Sequence, residues 1–346
     1  MLTARVLALE GQHVQLIERG AVGQESSWAG GGILSPLYPW RENPELDGLI
    51  KYSQKEYPLL AQALYQETGI DPEWIQSGLL LLDAQDTDKA SDWAERNQTT
   101  LQELNPGQTK TTEPALDGFA GHAMLLPETG QIRSSRLIPA LKQHLINSGI
   151  SILEQTEVRH ISLRNNEVHA VETTNGEFKA KAIVVANGAW GSQLLPELAI
   201  RPIRGQMICY QAAQGLVSHI LLKKSTYMIP RRDGHILVGS TVEDVGFDKG
   251  VTEEARMRLS EAAGEILPGI NQFLVVSHWS GLRPATQTGL PYIGRHPEIK
   301  GLYLNTGHHR NGILLAPGSA RLLADILLDR KPYVSAAAFQ FQPDST

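Results

Sequence analysis

The sequence predicts a mixed fold class, α/β plus α+β, in which a discontinuous parallel-sheet domain carries an inserted antiparallel-sheet domain. Three observations predict it. At 346 residues the chain exceeds what one core usually supports, so two domains, or one interrupted by another, are expected. A helix, tight turn, strand and acid near the start, and a strand, glycine turn and long helix near the end, read as pieces of parallel βαβ units. Between them, short apolar runs separated by Asn- and Gly-containing turns read as antiparallel strands.

Taken in order, Leu2, Val6, Leu7 and Leu9 fit a short helix that Gly11 ends, and residues 13–18 fit a buried strand that finishes on Glu18. No strand and no glycine-rich turn precede this helix in the sequence, so only the second half of the unit is expected. SSWAGGGILSPLYPW, residues 26–40, contains three consecutive glycines that free the backbone to approach a bound group closely. Leucine spacing predicts helices over 45–68 and 87–104, with LLLLD at 79–83 a short strand between them. A further helix spans 134–148, with Ser134 or Ser135 as cap and Gly149 as its stop. From Ile150 to Phe178, turns at Asn165-Asn166 and Asn175-Gly176 separate antiparallel strands.

The run AIVVA at 182–186 is a buried strand feeding a glycine turn, the arrangement of a ligand-facing edge of a parallel sheet. Residues 206–240 form the antiparallel layer, broken at Arg231-Arg232-Asp233-Gly234. A helix is expected over 252–266, a strand over 273–283 ending at Pro284, a strand over 302–307 and a long helix over 313–328. The expected domain segments are 1–62, 125–200 and 284–346 for the discontinuous domain, and 63–124 and 201–283 for the inserted one.

Composition narrows the function classes. Apolar residues make up 41% and charged residues 20%, an ordinary globular balance, and a net charge of −6 without a basic run predicts no nucleic-acid partner. No apolar run approaches a membrane span, and the leading segment is no signal peptide, so a cytoplasmic, small-molecule protein is expected. The one cysteine, Cys209, excludes an internal disulfide framework and reads as a small buried hydrophobe. There is no GxSxG elbow, no GxxxxGK[ST] loop and no HExxH helix, which removes serine hydrolases, P-loop kinases and zincins.

Several residues are placed to do chemistry. Glu18 ends a strand where an acid can accept hydrogen bonds from ribose hydroxyls, and is equally readable as an exposed strand-end acid. GHHRNG, residues 307–312, lies between a strand and a long helix, so its backbone N–H groups and the positive helix end can face a negatively polarised ligand. Adjacent His308 and His309 diverge and find no third ligand at metal spacing, so no metal is expected. Arg283 and Arg310 lie on short fixed turns suited to gripping a carboxylate, with surface charge as the plainer reading. Tyr227 is by default a half-buried strand aromatic.

GHHRNGILLAP, SGLRPATQTGLPYIGR, TYMIPR and SSWAGGGILSPLYPW together resemble the glycine oxidases of thiamine biosynthesis, members of the D-amino-acid oxidase superfamily of flavoproteins. The resemblance covers residues 1–335. It implies a Rossmann-like FAD-binding domain with an inserted antiparallel-sheet substrate domain, and FAD as cofactor. It implies that Arg283 clamps a substrate carboxylate, that Tyr227 hydrogen-bonds it, and that Arg310 is a second substrate-contacting arginine beside the flavin. By the same resemblance Glu18 and Arg19 stand at the adenosine ribose, and Ser26, Ser27, Gly31, Gly32 and Ile33 lie along the cofactor. Val158 stands on the adenine side, and His308, His309, Arg310, Asn311, Gly312, Ile313 and Leu314 surround the isoalloxazine. Ser225 occupies a position where family members differ.

The implied reaction is hydride transfer from the alpha carbon of a small amino acid or amine to the flavin, without a catalytic acid or base. Dioxygen is the acceptor, and glyoxylate, ammonia and hydrogen peroxide are the products when glycine is the substrate. A D-amino-acid dehydrogenase, a sarcosine or D-proline oxidase, and a flavin-deficient non-catalytic homologue stay open, as does a homo-oligomer. The strand and GxGxxG turn that open family members do not precede the first helix here. A late start, a truncation or loss of flavin binding would each explain that, and weak FAD retention by the sequence as written is the expectation.

Overall fold

The computed structural model describes residues 1–83 and 85–343; Ala84 and residues 344–346, which fall inside the expected domain segments, lie outside the described residues. Its largest element is an eight-stranded sheet. In spatial order the strands are Leu274–Ala285, Arg201–Gln211, His235–Gly239, Thr226–Pro230, Ile220–Lys223, Leu79–Leu82, Ala123–Leu126 and Gln102–Leu104. All neighbours are antiparallel except Ile220–Lys223 against Leu79–Leu82.

Successive side chains of a strand point to opposite faces, and here both faces are covered. Leu80, Leu221, Met228 and Val238 pack under Leu259, Ala263 and Ile266 of the helix Glu253–Ile266. Leu79, Leu81, Met207, Tyr227 and Ile229 face the other way, against Ile33, Leu37, Tyr38 and Trp40. That double cover is why LLLL reads as a continuous apolar run instead of an alternating one. Thr252 caps the helix by accepting the Ala255 backbone N–H at 3.3 Å.

The parallel part is in separate pieces. Gln15–Ile17 pairs with Ser151–Leu153, and Ile183–Val185 pairs with Leu302–Thr306, whose other side holds Tyr292–Arg295 antiparallel. The helices Leu2–Leu9, Asp47–Thr68, Ser134–Asn147 and Gly312–Leu327 pack beside these strands, burying Leu49, Leu64, Leu141, Leu314 and Leu323 in one cluster. Val158–Arg164, Glu167–Thr173 and Gly176–Lys179 form a three-stranded antiparallel sheet turning at Asn165-Asn166 and at Asn175. The mixed fold class is the one expected, and these elements resemble no membrane span: no helix among the described residues is long and apolar enough to cross one.

Four local expectations need correction. The predicted helix over 87–104 is a helix only at Thr87–Asn97; Gln98 turns left-handed (φ 53), and Gln102–Leu104 joins the sheet edge. Neither Ser134 nor Ser135 caps its helix, whose N-cap is Arg133 without a side-chain bond. Residues 151–153, expected as antiparallel, pair parallel to the first strand. The strand carrying Arg283 also continues through Pro284 to Ala285, because Pro284 lies at a sheet edge where its missing N–H costs nothing.

Glycine positions distinguish backbone need from packing need. Gly149, with φ +74 and nothing within 4 Å of an added Cβ, ends a helix, whereas at Gly32, φ +76, a Cβ would stand 1.9 Å from the Ile132 carbonyl oxygen. Gly149→Ala is therefore expected to cost about 1 kcal/mol, and Gly32→Ala at least about 3 kcal/mol because a clash adds to the left-handed backbone. Urea unfolding of both variants measures the difference; equal costs would show that the Gly32 crossing yields without strain.

Candidate active site

Two adjoining cavities lie between the glycine loop, the large sheet and the start of the last helix. The larger, about 630 Å³, is lined by Gly31, Gly32, Ile33, Tyr227, Ser240, Asn311 and Leu314 among others. The smaller, about 260 Å³, is lined by Ser26, Ser27, Asn305, His308, His309 and Gly312 among others. Gly30, Arg283, Arg310 and Ile313 line both. Of the residues singled out in the sequence, these cavities bring together all except Glu18, Arg19 and Val158. Glu18 instead accepts the Gly20 N–H at 2.9 Å, Arg19 lies over the Trp190 ring at 3.8 Å and pairs with Glu25 at 3.1 Å, and Val158 pairs with Thr173.

Local chain geometry presents each group. The isolated bridge between Ala285 and His308 draws the end of the Arg283 strand onto the loop after Leu302–Thr306, so Arg283 and Arg310 reach one space. The 16-residue helix that starts at Gly312 has Asn311 as N-cap with no side-chain cap bond, leaving its first N–H groups for a ligand. Asn305 contributes to the smaller cavity a buried Oδ1 that has no partner among the described residues. The Tyr57 hydroxyl donates to the Ile313 carbonyl and fixes the helix start from behind.

The charge of this space is set by burial. Burial, with the like charge of Arg310 adding to it, draws the Arg283 guanidinium below its ordinary value. Burial pushes the His308 imidazole down to about 4; it pushes His309 down to about 4 as well, with the charges of Arg283 and Arg310 adding to it. Both imidazoles are thus neutral at physiological pH, and the His308 ring is held by Ser319 at 3.0 Å. At the mouth, burial raises Glu42 above the carboxylate range, against the pull of Arg310 and a 3.5 Å bond from Asn311.

Residues that sequence reasoning did not pick out also build the site. Arg231 donates to the Gly31 carbonyl at 2.6 Å and to Gln131 at 2.6 Å, tying the glycine loop to the sheet. Ser240, Tyr38, Arg41 and Glu42 line the larger cavity. Arg231 carried one readable signal, a charge directly after an apolar strand; the others carried none. Cys209 lies away from the cavities, buried, with its thiol pushed up to about 11 by burial.

Comparison with known proteins gives a consistent answer. The family described as "FAD dependent oxidoreductase" matches residues 1–326. A glycine oxidase of Pseudomonas aeruginosa is 44% identical over 98% of this chain and 94% of its own length. One from Pseudomonas putida is 40% identical over the same shares, 98% and 94%. Among solved structures, glycine oxidase from Geobacillus kaustophilus superposes with a TM-score of 0.93 at 30% identity, covering 100% of this chain and 96% of that one.

The depressed histidines predict a pH signature. A histidine neutral in the folded state contributes stability that is present above its unfolded value of about 6.5 and is lost as pH falls towards its folded value of about 4. For part-exposed His308 this is on the order of 2 kcal/mol, so His308→Gln should flatten the fall in melting temperature between these pH values. An unchanged pH profile in that variant would mean the ring charges in the folded state without penalty.

Proposed function

The chain belongs to the FAD dependent oxidoreductase family, and on that premise we propose that it oxidatively deaminates glycine and other small amines or D-amino acids. The products are the 2-oxo acid, ammonia and hydrogen peroxide, with dioxygen as acceptor. The same reading assigns it to the cytoplasm and, through the resemblance of its motifs, to thiamine biosynthesis. One observation carries the proposal: a half-buried arginine, Arg283, and the Tyr227 ring line a cavity that opens onto the uncapped helix start beside the glycine loop.

The smaller cavity fits a flavin. Free N–H groups at a helix start suit the negatively polarised pyrimidine end, and the buried Asn305 Oδ1 finds no donor among the described residues. Ser26, Ser27, His308, Gly312 and Ile313 would hold it, with Gly31, Gly32 and Ile33 along the adjoining wall. Glu18, Arg19 and Val158 would serve the adenosine end. FAD, when bound, supplies the hydride acceptor and passes the electrons to dioxygen.

The chain's own residues position the substrate. Arg283 offers a planar fork to the carboxylate, and its burial strengthens the pairing by excluding competing water. The Tyr227 hydroxyl, which shares a hydrogen bond with Arg283 and lies 3.8 Å from the weak acceptor Met207 Sδ, donates a second, neutral bond. Arg310, exposed at the mouth, attracts the anion before it is seated. Held down to about 4, His308 and His309 are weak bases, in keeping with a reaction in which these side chains orient the substrate and none takes a proton from the alpha carbon.

A peroxide assay of the FAD-loaded protein over glycine, sarcosine and several D-amino acids tests the reading; flavin reduction without peroxide would point to a dehydrogenase instead. Arg283→Ala is expected to lower kcat/KM at least about tenfold with little change in the flavin spectrum, because a charge-assisted bond is worth roughly 1.5–3 kcal/mol. Arg283→Lys should recover only part of that. Tyr227→Phe, which removes one neutral donor worth about 0.5–1.5 kcal/mol, should be milder; the reverse order in steady-state kinetics would exchange the two roles.

A further inference from the structure

The Arg283 guanidinium is held before any ligand arrives. Its Nη1 donates to the Thr241 carbonyl at 3.1 Å and to the Arg204 carbonyl at 3.4 Å, and its Nη2 donates to Ser240 Oγ at 2.6 Å. Underneath lies Gly205, where an added Cβ would stand 2.1 Å from Nη2 and 2.3 Å from Cζ and Nη1. These contacts come from two strands and a loop. Arg204 and Gly205 sit on Arg201–Gln211, which pairs with the Arg283 strand through Gly205 and Gly281, while Ser240 and Thr241 follow His235–Gly239.

An arginine has five N–H donors in a fixed plane. Nη1 is engaged by two carbonyls and Nη2 by the Ser240 hydroxyl, and Tyr227 shares a further hydrogen bond with the group, so the fork is oriented before a carboxylate docks. A carboxylate pairs with two donors along one edge of the plane, and the Nε–Nη2 edge is the one that excludes the doubly bonded Nη1. We propose that Ser240, on the bare floor provided by Gly205, is the positioning residue that locks Arg283 so that this single edge faces the cavity and receives the substrate carboxylate. The inference rests on the proposed clamp and deepens it: Ser240 touches neither the alpha carbon nor the amine and acts only through Arg283. A guanidinium without this lock can turn its Nη1–Nη2 edge to the ligand, and the alpha carbon shifts with it. Selection for small substrates follows, since a carboxylate fixed in place fixes where a side chain would have to go.

The test uses the FAD-loaded protein and acetate, which is the carboxylate of glycine without its amine, titrated calorimetrically beside glycine kinetics. Ser240→Ala is expected to weaken acetate binding and raise the KM for glycine by about fivefold to tenfold, with kcat changed by less than about threefold. Ser240→Thr keeps the hydroxyl and is expected to restore both. Gly205→Ala, which displaces the fork without removing an acceptor, is expected to weaken acetate binding further, and melting temperatures establish that each variant is folded. Acetate binding by folded Ser240→Ala or Gly205→Ala equal to that of the unaltered protein would overturn the lock, and if Arg283→Ala still abolished binding the clamp itself would stand. Equal acetate binding by Arg283→Ala and the unaltered protein would overturn the clamp and this inference together.

Discussion

The crossing of residues 30–33 between the large sheet and the helical layer is the constraint on which the rest of this structure depends. At Gly31 an added Cβ would meet the Ile229 Cδ1 at 2.7 Å, and at Gly32 the Ile132 carbonyl oxygen at 1.9 Å. At Gly32 backbone blocks any side chain, and at Gly31 the Ile229 methyl would have to move aside. The loop is then tied from both sides: Ile132 donates its N–H to the Gly32 carbonyl at 2.8 Å, and Arg231 reaches the Gly31 carbonyl at 2.6 Å. Because the backbone passes this closely, the sheet face bearing Tyr227 and Ile229 and the helix start at Gly312 line the same space.

Beside this crossing, a group of charges built around buried Glu73 and Arg231 fixes how the sheet meets the helical layer. Glu73, 2% exposed, accepts from Arg133 at 3.1 Å and from the Arg232 backbone N–H at 3.1 Å, and Arg133 also pairs with Asp233 at 2.7 Å. Burial opposes the charge on Asp233, but bonds from Arg133 and His235 more than offset it and hold its carboxyl well below the usual range. Burial pushes Arg231 down to about 10, and its hydrogen-bond acceptors are neutral: Gln131 and the carbonyls of Ile132 and Gly31. Buried charges add little net stability, yet removing one partner leaves another uncompensated, so the geometry tolerates little drift.

The electrostatics of the larger cavity follow from which charges are matched. Arg41 pairs with Asp86 at 2.7 Å and lies over Tyr38, and the described lining holds Glu42, whose charge burial disfavours. The hydrogen-bond partners of Arg283 are neutral: two carbonyls, the Ser240 hydroxyl and Tyr227. A positive group bonded to neutral partners in a partly desolvated space favours an anion beside it, while the neutral histidines keep the adjoining wall from competing for it.

The sequence by itself determined the mixed fold class, most element positions and the motifs that gather at the cavities, because hydrophobic period, glycine turns and the order of strands and helices are local properties. It did not reveal that the run over 87–104 breaks at Gln98, since the short strand Gln102–Leu104 is largely exposed and owes its existence to pairing with Ala123–Leu126. Glu18, Arg19 and Val158 were legible as candidates, but their distance from the cavities was not. Nor could any local pattern show Ser240 under the fork of Arg283, 43 residues away, or Arg231 beneath Gly31, 200 residues away. Those contacts exist because strands remote in the chain are neighbours in the sheet, and only tertiary structure decides which donors are already spent and which are left to bind.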